Sequence, residues 1–391
     1  MRILFQIFNS DGGGFSNVVL LLRSMIKSYR EDRLLFVASD RTDVSGLKDA
    51  GGIEVRLIPV RSFVELERAR LLFNGVGSLA RSWGADVVWS FNLGPFRRQG
   101  IPQVVSLHNA FEVVPWSLAR THPLGLVHSV FLRAAFRRGL GCSDGVIVQT
   151  QDMRSLVRKI RGCPSRIAVI PKAVETDADL AAGPIPAPVA ARVLPDGRWF
   201  TYLYVASWFS HKNHEVLFSA LEQLRRSNVP IRLVVSIEPE LLHSETAEVR
   251  RLVLEGRIVP VGWVAKEWLR ALYNAADGCL MPSLIESLSS SHLEAMQWGK
   301  PQIVSDLPYA HALCGDAAIY ASPEDPTAWS GEMLRLREDV ALRERLVAAG
   351  RRRMEMMPNS WTQVAMKARS FLEEVSRSGR PRDMAACGRE L

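Results

Sequence analysis

The sequence predicts two doubly wound, Rossmann-like α/β domains in tandem. Three observations carry that prediction. The chain has 391 residues, more than the roughly 250–300 at which a single hydrophobic core stops growing. Short apolar runs of buried-strand type alternate with amphipathic stretches, the rhythm of a parallel sheet covered by helices. That rhythm stops once, in a segment rich in proline and alanine over 181–197, and then restarts.

The first half opens with RILFQIF (2–8), the turn NSDGGG and the amphipathic FSNVVLLLRSMIKSY, followed by RLLFVASD (33–40). Further strands are expected at IEVRLIPV (53–60), ADVVWSF (85–91), PQVVSLH (102–108), DGVIVQT (144–150) and RIAVIP (166–171), with a helical stretch near 63–83. These fill a first domain over 1–180. AAGPIPAPVAARVLPDG (181–197) has linker composition and no apolar period. The second domain, from 198, begins with WFTYLYVAS (199–207) and the helix NHEVLFSALEQLRRS (213–227). Then come strands IRLVVSI (231–237) and RIVPVGWV (257–264), the helix EWLRALYNAAD (267–277), and strands GCLMPS (278–283) and PQIVSD (301–306). Ligands of such folds sit beyond the carboxyl ends of the strands. Two such domains facing each other place the expected site in the cleft between them.

Composition narrows the function classes. A hydrophobic content of 47% and a charged content of 23% are those of an ordinary globular protein. The five cysteines (Cys142, Cys163, Cys279, Cys314, Cys387) form no C-x-x-C pair and have no histidine-rich partner segment. That argues against a zinc site or a disulfide framework and for a reducing compartment. ILFQIF is too short for a signal core, and no apolar run reaches the roughly 18–20 residues that span a bilayer. A cytoplasmic location is expected. The net charge of +8 fits an anionic partner. The arginines are widely spread and no aromatic-basic pattern interleaves them, so nucleic acid is not expected as that partner.

Four stretches carry chemistry. DGGGF places Gly12, Gly13 and Gly14 before a helix N-terminus, where bare backbone can approach an anion. As a dinucleotide fingerprint it matches weakly, with Asn17 where a third glycine belongs and Asp40 as the acid; a plain tight turn also explains it. SLHNAFE puts His108 at the carboxyl end of a strand, as a hydrogen-bonding group or a structural loop histidine. SWFSHKNHEV sets Lys212 near a helix start, against the dipole preference, which makes sense if an anion docks there. SLIESLSSSHLEAMQWGKP (283–301) holds Glu286 and Glu294 eight positions apart. A capping box, Ser291-x-x-Glu294, explains the second acid. It does not explain Glu286, which sits in the strand-to-helix loop.

PSLIESLSSSHLEAMQWGKPQIVSDLPY followed by CGDAAIYASPEDP resembles the donor-site signature of family-4 glycosyltransferases of GT-B fold. HKNHEVLFSAL, VGWVAKEWLRALYNAAD, the early Gly-Gly turn, VVSLHN and VIPKAVE occur in that family's order, so the resemblance covers nearly the whole chain. SWTQVAMKARSFLEEV resembles the family's closing helix. The resemblance thus implies a donor domain over 198–358, a helix over 359–377 returning to the N-terminal, acceptor-side domain, and a tail over 378–391 that is expected to be disordered. It implies a retaining, metal-independent hexosyltransferase in cell-surface polysaccharide synthesis. The partners are then a nucleotide sugar, a glycan or lipid-linked acceptor and, at the inner face of the cell membrane, an anionic surface. No cofactor is expected, because the nucleotide sugar is the substrate, and no metal. Glu286 matches the acid that contacts the donor sugar, Glu294 the acid on the ribose hydroxyls and Lys212 the base on the diphosphate. His108 matches the histidine near the donor sugar, and Gly13 and Gly14 the turn facing phosphates or acceptor. Leu288, Ser289 and Ser290 take the place of the phosphate loop, and Val264 sits where the nucleobase packs.

The chain departs from the family's pattern in three places. Ala206 and Ser207 stand where a Gly-Arg pair is common, Ser287-Leu288-Ser289 replaces Gly-Phe-Gly, and Lys172-Ala173 replaces Asn-Gly. Two other classes stay open on the residues alone. A non-catalytic nucleotide-sugar-binding protein would rest on the missing arginine, and an NAD- or FAD-dependent oxidoreductase on Gly12, Gly14 and Asp40. The acceptor expectation draws on WSLARTHPLGLVHSVFLRAAFRRGLG (116–141), which mixes Leu126, Val127, Val130, Phe131, Leu132 and Phe136 with Arg120, Arg133, Arg137 and Arg138. Such a basic amphipathic helix lies in an anionic interface or packs as a core helix with a solvated arginine face.

Overall fold

The computed structural model describes residues 1–7, 13–48, 51–59, 72, 75–119, 125–174 and 183–378. The described residues fall into two compact units, one over 1–119, 125–173 and 360–378 and the other over 174 and 183–359.

In the first unit a seven-stranded sheet runs in the order β3-β2-β1-β4-β5-β6-β7. Its strands are β1 (Arg2–Gln6), β2 (Arg33–Ser39), β3 (Ile53–Ile58), β4 (Val87–Phe91), β5 (Gln103–Leu107), β6 (Gly145–Val148) and β7 (Arg166–Val169). Every pairing is parallel, with Phe5 opposite both Phe36 and Trp89. All five residues of β4 and of β5 are buried. Strands covered on both faces read as unbroken apolar runs, which is why they were legible without alternation. β3 lies at the sheet edge and exposes Glu54 and Arg56, charges that discourage edge-to-edge pairing.

Helix α1 (Gly13–Ser28) covers one face of this sheet. Val18, Leu22, Met25 and Ile26 recur at helical spacing and pack into the core with Val364, Ala368, Phe371 and Val375 of the last described helix, Trp361–Ser378. Arg369 of that helix donates to Asp32, at the turn after α1, across 3.1 Å, with side chains 17% and 3% exposed. The guanidinium also lies over the Tyr29 ring, 4.9 Å from its centroid.

The second unit holds a six-stranded parallel sheet in the order β10-β9-β8-β11-β12-β13. These are β8 (Phe200–Tyr204), β9 (Ile231–Val235), β10 (Ile258–Pro260), β11 (Gly278–Met281), β12 (Gln302–Ser305) and β13 (Ile319–Ala321). The three-residue β13 was not expected from the sequence; it is too short to show a period.

Residues 181–197 need correction. The described part, from 183, is an arm of the second unit rather than a free linker, and the change of unit falls at Val174. Ala187–Val193 is helical with Pro186 as its N-cap, and Ile185 and Val193 are buried in the unit's core. The guanidinium of Arg232, itself buried, ties the arm down. It donates to the carbonyls of Arg192, Val193 and Leu194 at 3.0–3.1 Å and to Thr201 Oγ1 at 2.8 Å. Proline at a helix start costs nothing, because that N–H is unpaired in any case. Proline content was therefore a poor guide to mobility here.

Of the helical stretch expected near 63–83, Val76–Trp83 is helical, while 63–71 and 73–74 lie outside the described residues. So do Gly12, Arg120, 181–182 and 379–391. Among the described residues no helix is long and apolar enough to cross a membrane.

Candidate active site

In the second sheet the chain winds outward from β8 in one direction and from β11 in the other. The loops after these two neighbouring strands therefore leave toward opposite faces, and the crevice between them is where ligands of open α/β sheets bind. Lys212 comes from the loop after β8, and Glu286 from the loop after β11.

The two loops are tied into one structure. Tyr204, the last residue of β8, donates its hydroxyl to the Lys212 carbonyl at 2.9 Å and shares a hydrogen bond with Ser283 Oγ at 3.0 Å. Leu284 N–H donates to the His211 carbonyl at 2.7 Å. Lys212 ends a 3₁₀ turn (Ser210–Lys212), and Asn213 follows in the left-handed region at φ 55°. Asparagine tolerates that conformation better than most residues. Its side-chain amide donates to the carbonyls of Pro282 and Pro323 at 3.2 and 2.8 Å.

So held, Lys212 Nζ donates to Glu286 Oε1 at 2.6 Å, the side chains being 20% and 13% exposed. Burial pushes the Glu286 carboxyl up, but the Lys212 charge and hydrogen bond, with the Ser283 hydroxyl, outweigh it and hold it below the usual carboxylate range. It is ionised at neutral pH. The dipole argument for Lys212 changes accordingly: its counter-charge in the structure is Glu286. Behind the pair lies His292, fully buried, its pKa lowered to about 4 chiefly by burial. Neither ring nitrogen has a hydrogen-bond partner.

The capping box is overturned. The helix holding Glu294 runs Ser290–Gln297 with Ser289 as N-cap, so Ser291 is already its second residue. Ser291 Oγ donates to the Val205 carbonyl at 2.8 Å, and Glu294 accepts from Tyr273 OH at 3.0 Å. Both acids thus need an explanation beyond capping. The Leu288 side chain is 8% exposed and packed in the core. What the loop can offer an anion is its backbone, since the first N–H groups of a helix have no partner within it. Ser289 makes no side-chain cap bond. Val264 lies half-buried against the core, between β10 and the helix Lys266–Ala275.

His108, Gly13 and Gly14 belong to the first unit. Gly13 and Gly14 are the first two residues of α1. His108 follows β5, stacks on Phe91 with centroids 4.4 Å apart, and donates its backbone N–H to Asn92 Oδ1 at 2.8 Å. Burial, then the Lys172 charge, lowers its pKa to about 3. At neutral pH it is an uncharged hydrogen-bonding group. Sequence reasoning missed Tyr204 and Ser283. Tyr204 reads there as one more apolar strand residue, and its hydroxyl acquires a role only once β8 lies beside β11.

Two family models match the chain, Glycosyltransferase Family 4 over residues 12–178 and Glycosyl transferases group 1 over residues 200–339. The chain is a family-4 glycosyltransferase of GT-B fold. The transferase is 21% identical to the alpha-monoglucosyldiacylglycerol synthase of Streptococcus pneumoniae over 331 residues, 80% of this chain and 73% of that one. Over a shorter stretch of 102 residues (26% of this chain, 27% of the other) it is 36% identical to the O-antigen chain mannosyltransferase B of Escherichia coli. Among solved structures, HepE of Anabaena in complex with UDP superposes with a TM-score of 0.68 at 17% identity. That match covers 96% of this chain and all of the other.

Two buried histidines are expected to make the second unit of the transferase less stable as pH falls. Burial lowers His214 to about 3 and His292 to about 4, both from 6.5. Above pH 6.5 neither the folded nor the unfolded state protonates them. Between 6.5 and 4 the unfolded state takes up protons that the folded state refuses, so stability falls as pH drops, by at most about 3 kcal/mol per pH unit for the two together. Urea midpoints followed by tryptophan fluorescence should therefore decline from pH 7.5 through 6 to 5. A flat midpoint over that range would contradict the buried, neutral state of these rings.

Proposed function

We propose that the transferase moves a hexosyl group, with retention of configuration and without a metal, from a nucleoside-diphosphate sugar to a glycan or lipid-linked acceptor of cell-surface polysaccharide synthesis. The observation that carries this reading is the Lys212–Glu286 pair, 2.6 Å apart at the point where the strand order reverses. In the proposed step the bond from the sugar C1 to the β-phosphate oxygen breaks and its electron pair stays with the diphosphate. The ammonium of Lys212 and the N–H groups opening the helix at Ser290 meet that charge, and preorganised dipoles at a growing anion lower such barriers most. Glu286, kept ionised by Lys212, accepts hydrogen bonds from donor-sugar hydroxyls, and Glu294 from the ribose. The acceptor hydroxyl attacks C1 from the face the diphosphate leaves, and its proton passes to the departing phosphate oxygen. UDP in the HepE complex supports the donor class. The names of the streptococcal and O-antigen relatives support the acceptor class.

The test is a panel of UDP-, GDP- and ADP-sugars. A true donor binds only the folded state and raises the melting temperature. The same compound should release its nucleoside diphosphate when acceptor is added, with the anomeric configuration kept in the product. A protein that is stabilised by a nucleotide sugar but never releases nucleotide would be the binding-only alternative. No stabilisation by any of them would sink the proposal.

One surface favours the lipid-linked acceptor. On the helix Gly125–Gly141, Val130 and Phe131 are 48% and 44% exposed beside exposed Arg137 and Arg138, with Trp116 exposed nearby in sequence. Arg133, expected on the solvated face, is buried. It donates to the carbonyls of Phe111 and Val114 beneath the Trp116 ring, 4.4 Å from its centroid. Leu132 and Phe136 are core residues, and the side chains of Leu126 and Val127 lie outside the described residues. We propose that the exposed face docks on anionic lipid, each cation near the surface adding about 1 kcal/mol. Cosedimentation with anionic vesicles at low salt is expected to fall several-fold in Phe131→Ser and to fade as salt rises. Equal recovery with neutral vesicles would remove this half of the reading.

A further inference from the structure

At the end of the first sheet where its strands begin, α1 and the starts of β2 and β3 border an open concavity of about 780 Å³. Small-molecule sites typically measure about 300–1,000 Å³. Arg23, Lys27, Arg30 and Arg33 line it, with Gly51 and Gly52 at one wall and no carboxylate among its described lining. The four cations are exposed. Arg23, Lys27 and Arg30 recur at i, i+4 and i+7, one face of the helix and its exit, spread over about 10 Å. The helix dipole explains a cation in the last turn, Lys27. It does not reach Arg23, a full turn earlier, nor Arg33, which opens β2. Arg33 is moreover anchored, donating to the carbonyls of Arg30 and Asp32 at 3.1 and 3.2 Å. The nearby acid Asp32 is buried and engaged with Arg369, so it does not neutralise the group. Like charges stacked this way repel, at about 0.2–0.5 kcal/mol for each helical pair.

We propose that this pocket binds an anion carrying several phosphate groups. A single phosphate meets only two of side chains so spaced, whereas linked or adjacent phosphates meet three or four. The phosphates could belong to one soluble molecule or to neighbouring lipid headgroups, and the chemistry recognised is the same. The pocket shares no residue with the donor site: its residues lie at the amino ends of β2 and β3 in the first unit, and Lys212 and Glu286 belong to the second.

Because the donor site also takes a diphosphate, the test uses the full chain carrying Lys212→Ala, with inorganic pyrophosphate as the probe in titration calorimetry. One equivalent should still bind, weakening as salt rises. Adding Arg23→Gln, Lys27→Gln and Arg30→Gln, all exposed and outside the core, should weaken it at least tenfold. The circular-dichroism spectrum should stay unchanged. A parallel arm measures flotation with phosphatidylglycerol vesicles. If pyrophosphate does not bind but flotation falls with the triple substitution, the phosphates belong to lipid. If the triple substitution changes neither, the proposal is overturned. Sugar transfer at the parental rate in the Lys212→Ala chain, with pyrophosphate binding intact, would count against the proposed donor chemistry and not against this pocket.

Discussion

Glu286→Gln is expected to turn over donor roughly ten- to a thousandfold more slowly than the parent, the cost of removing one preorganised electrostatic contact. The substitution keeps the side chain's volume and removes the charge that Lys212 holds at 2.6 Å. Glutamine still accepts a hydrogen bond from the lysine, so the loops joined through Tyr204, Ser283 and Asn213 should keep their shape. Lys212→Ala acts on the same pair from the other side. It removes the cation facing the leaving diphosphate and leaves a buried carboxylate without its partner. Its KM for donor should therefore rise along with the fall in kcat. The double variant should lose less than the sum of the two losses, because residues in one ion pair are coupled. Steady-state kinetics on all three, at saturating acceptor, decides it. Parental turnover in both single variants would show that this pair does not carry the transfer.

Asp32→Ala should destabilise the first unit by about 3–5 kcal/mol, the usual cost of removing one partner from a buried pair. Asp32 is 3% exposed at its side chain and accepts from Arg369 and from the Met1 ammonium, so the alanine variant takes a partner from two largely buried cations, of which Arg369 keeps Glu373. The helix carrying Arg369 buries Val364, Ala368, Phe371 and Val375 against α1, so loosening that contact threatens an extended apolar seam. Replacing Arg369 as well should add less than its own single-variant loss, because residues in one ion pair are coupled; the Met1 ammonium loses Asp32 in either case. Urea unfolding, monitored at several wavelengths because two units need not unfold together, gives the comparison. A change under about 0.5 kcal/mol for Asp32→Ala would mean that Glu373 and water already satisfy Arg369.

The sequence by itself determined the two α/β units, because strands buried on both faces must be written as short apolar runs such as VVWSF and QVVSL. It also named Lys212 and Glu286, since a charge placed just after a strand in this fold has few purposes other than binding. Tertiary structure alone decided what those charges meet. Nothing in the local pattern says that Lys212 finds Glu286 74 positions away, because that pairing depends on β8 and β11 becoming neighbours at the reversal of strand order. The same holds for Glu294, which local spacing assigned to a cap and packing assigned to Tyr273. It holds for 183–197 too, where composition read as a linker and the buried Arg232 made an anchored arm. In each case the deciding term is a long-range hydrogen bond or ion pair, and its partner is set by which strands lie side by side rather than by residues close in the chain.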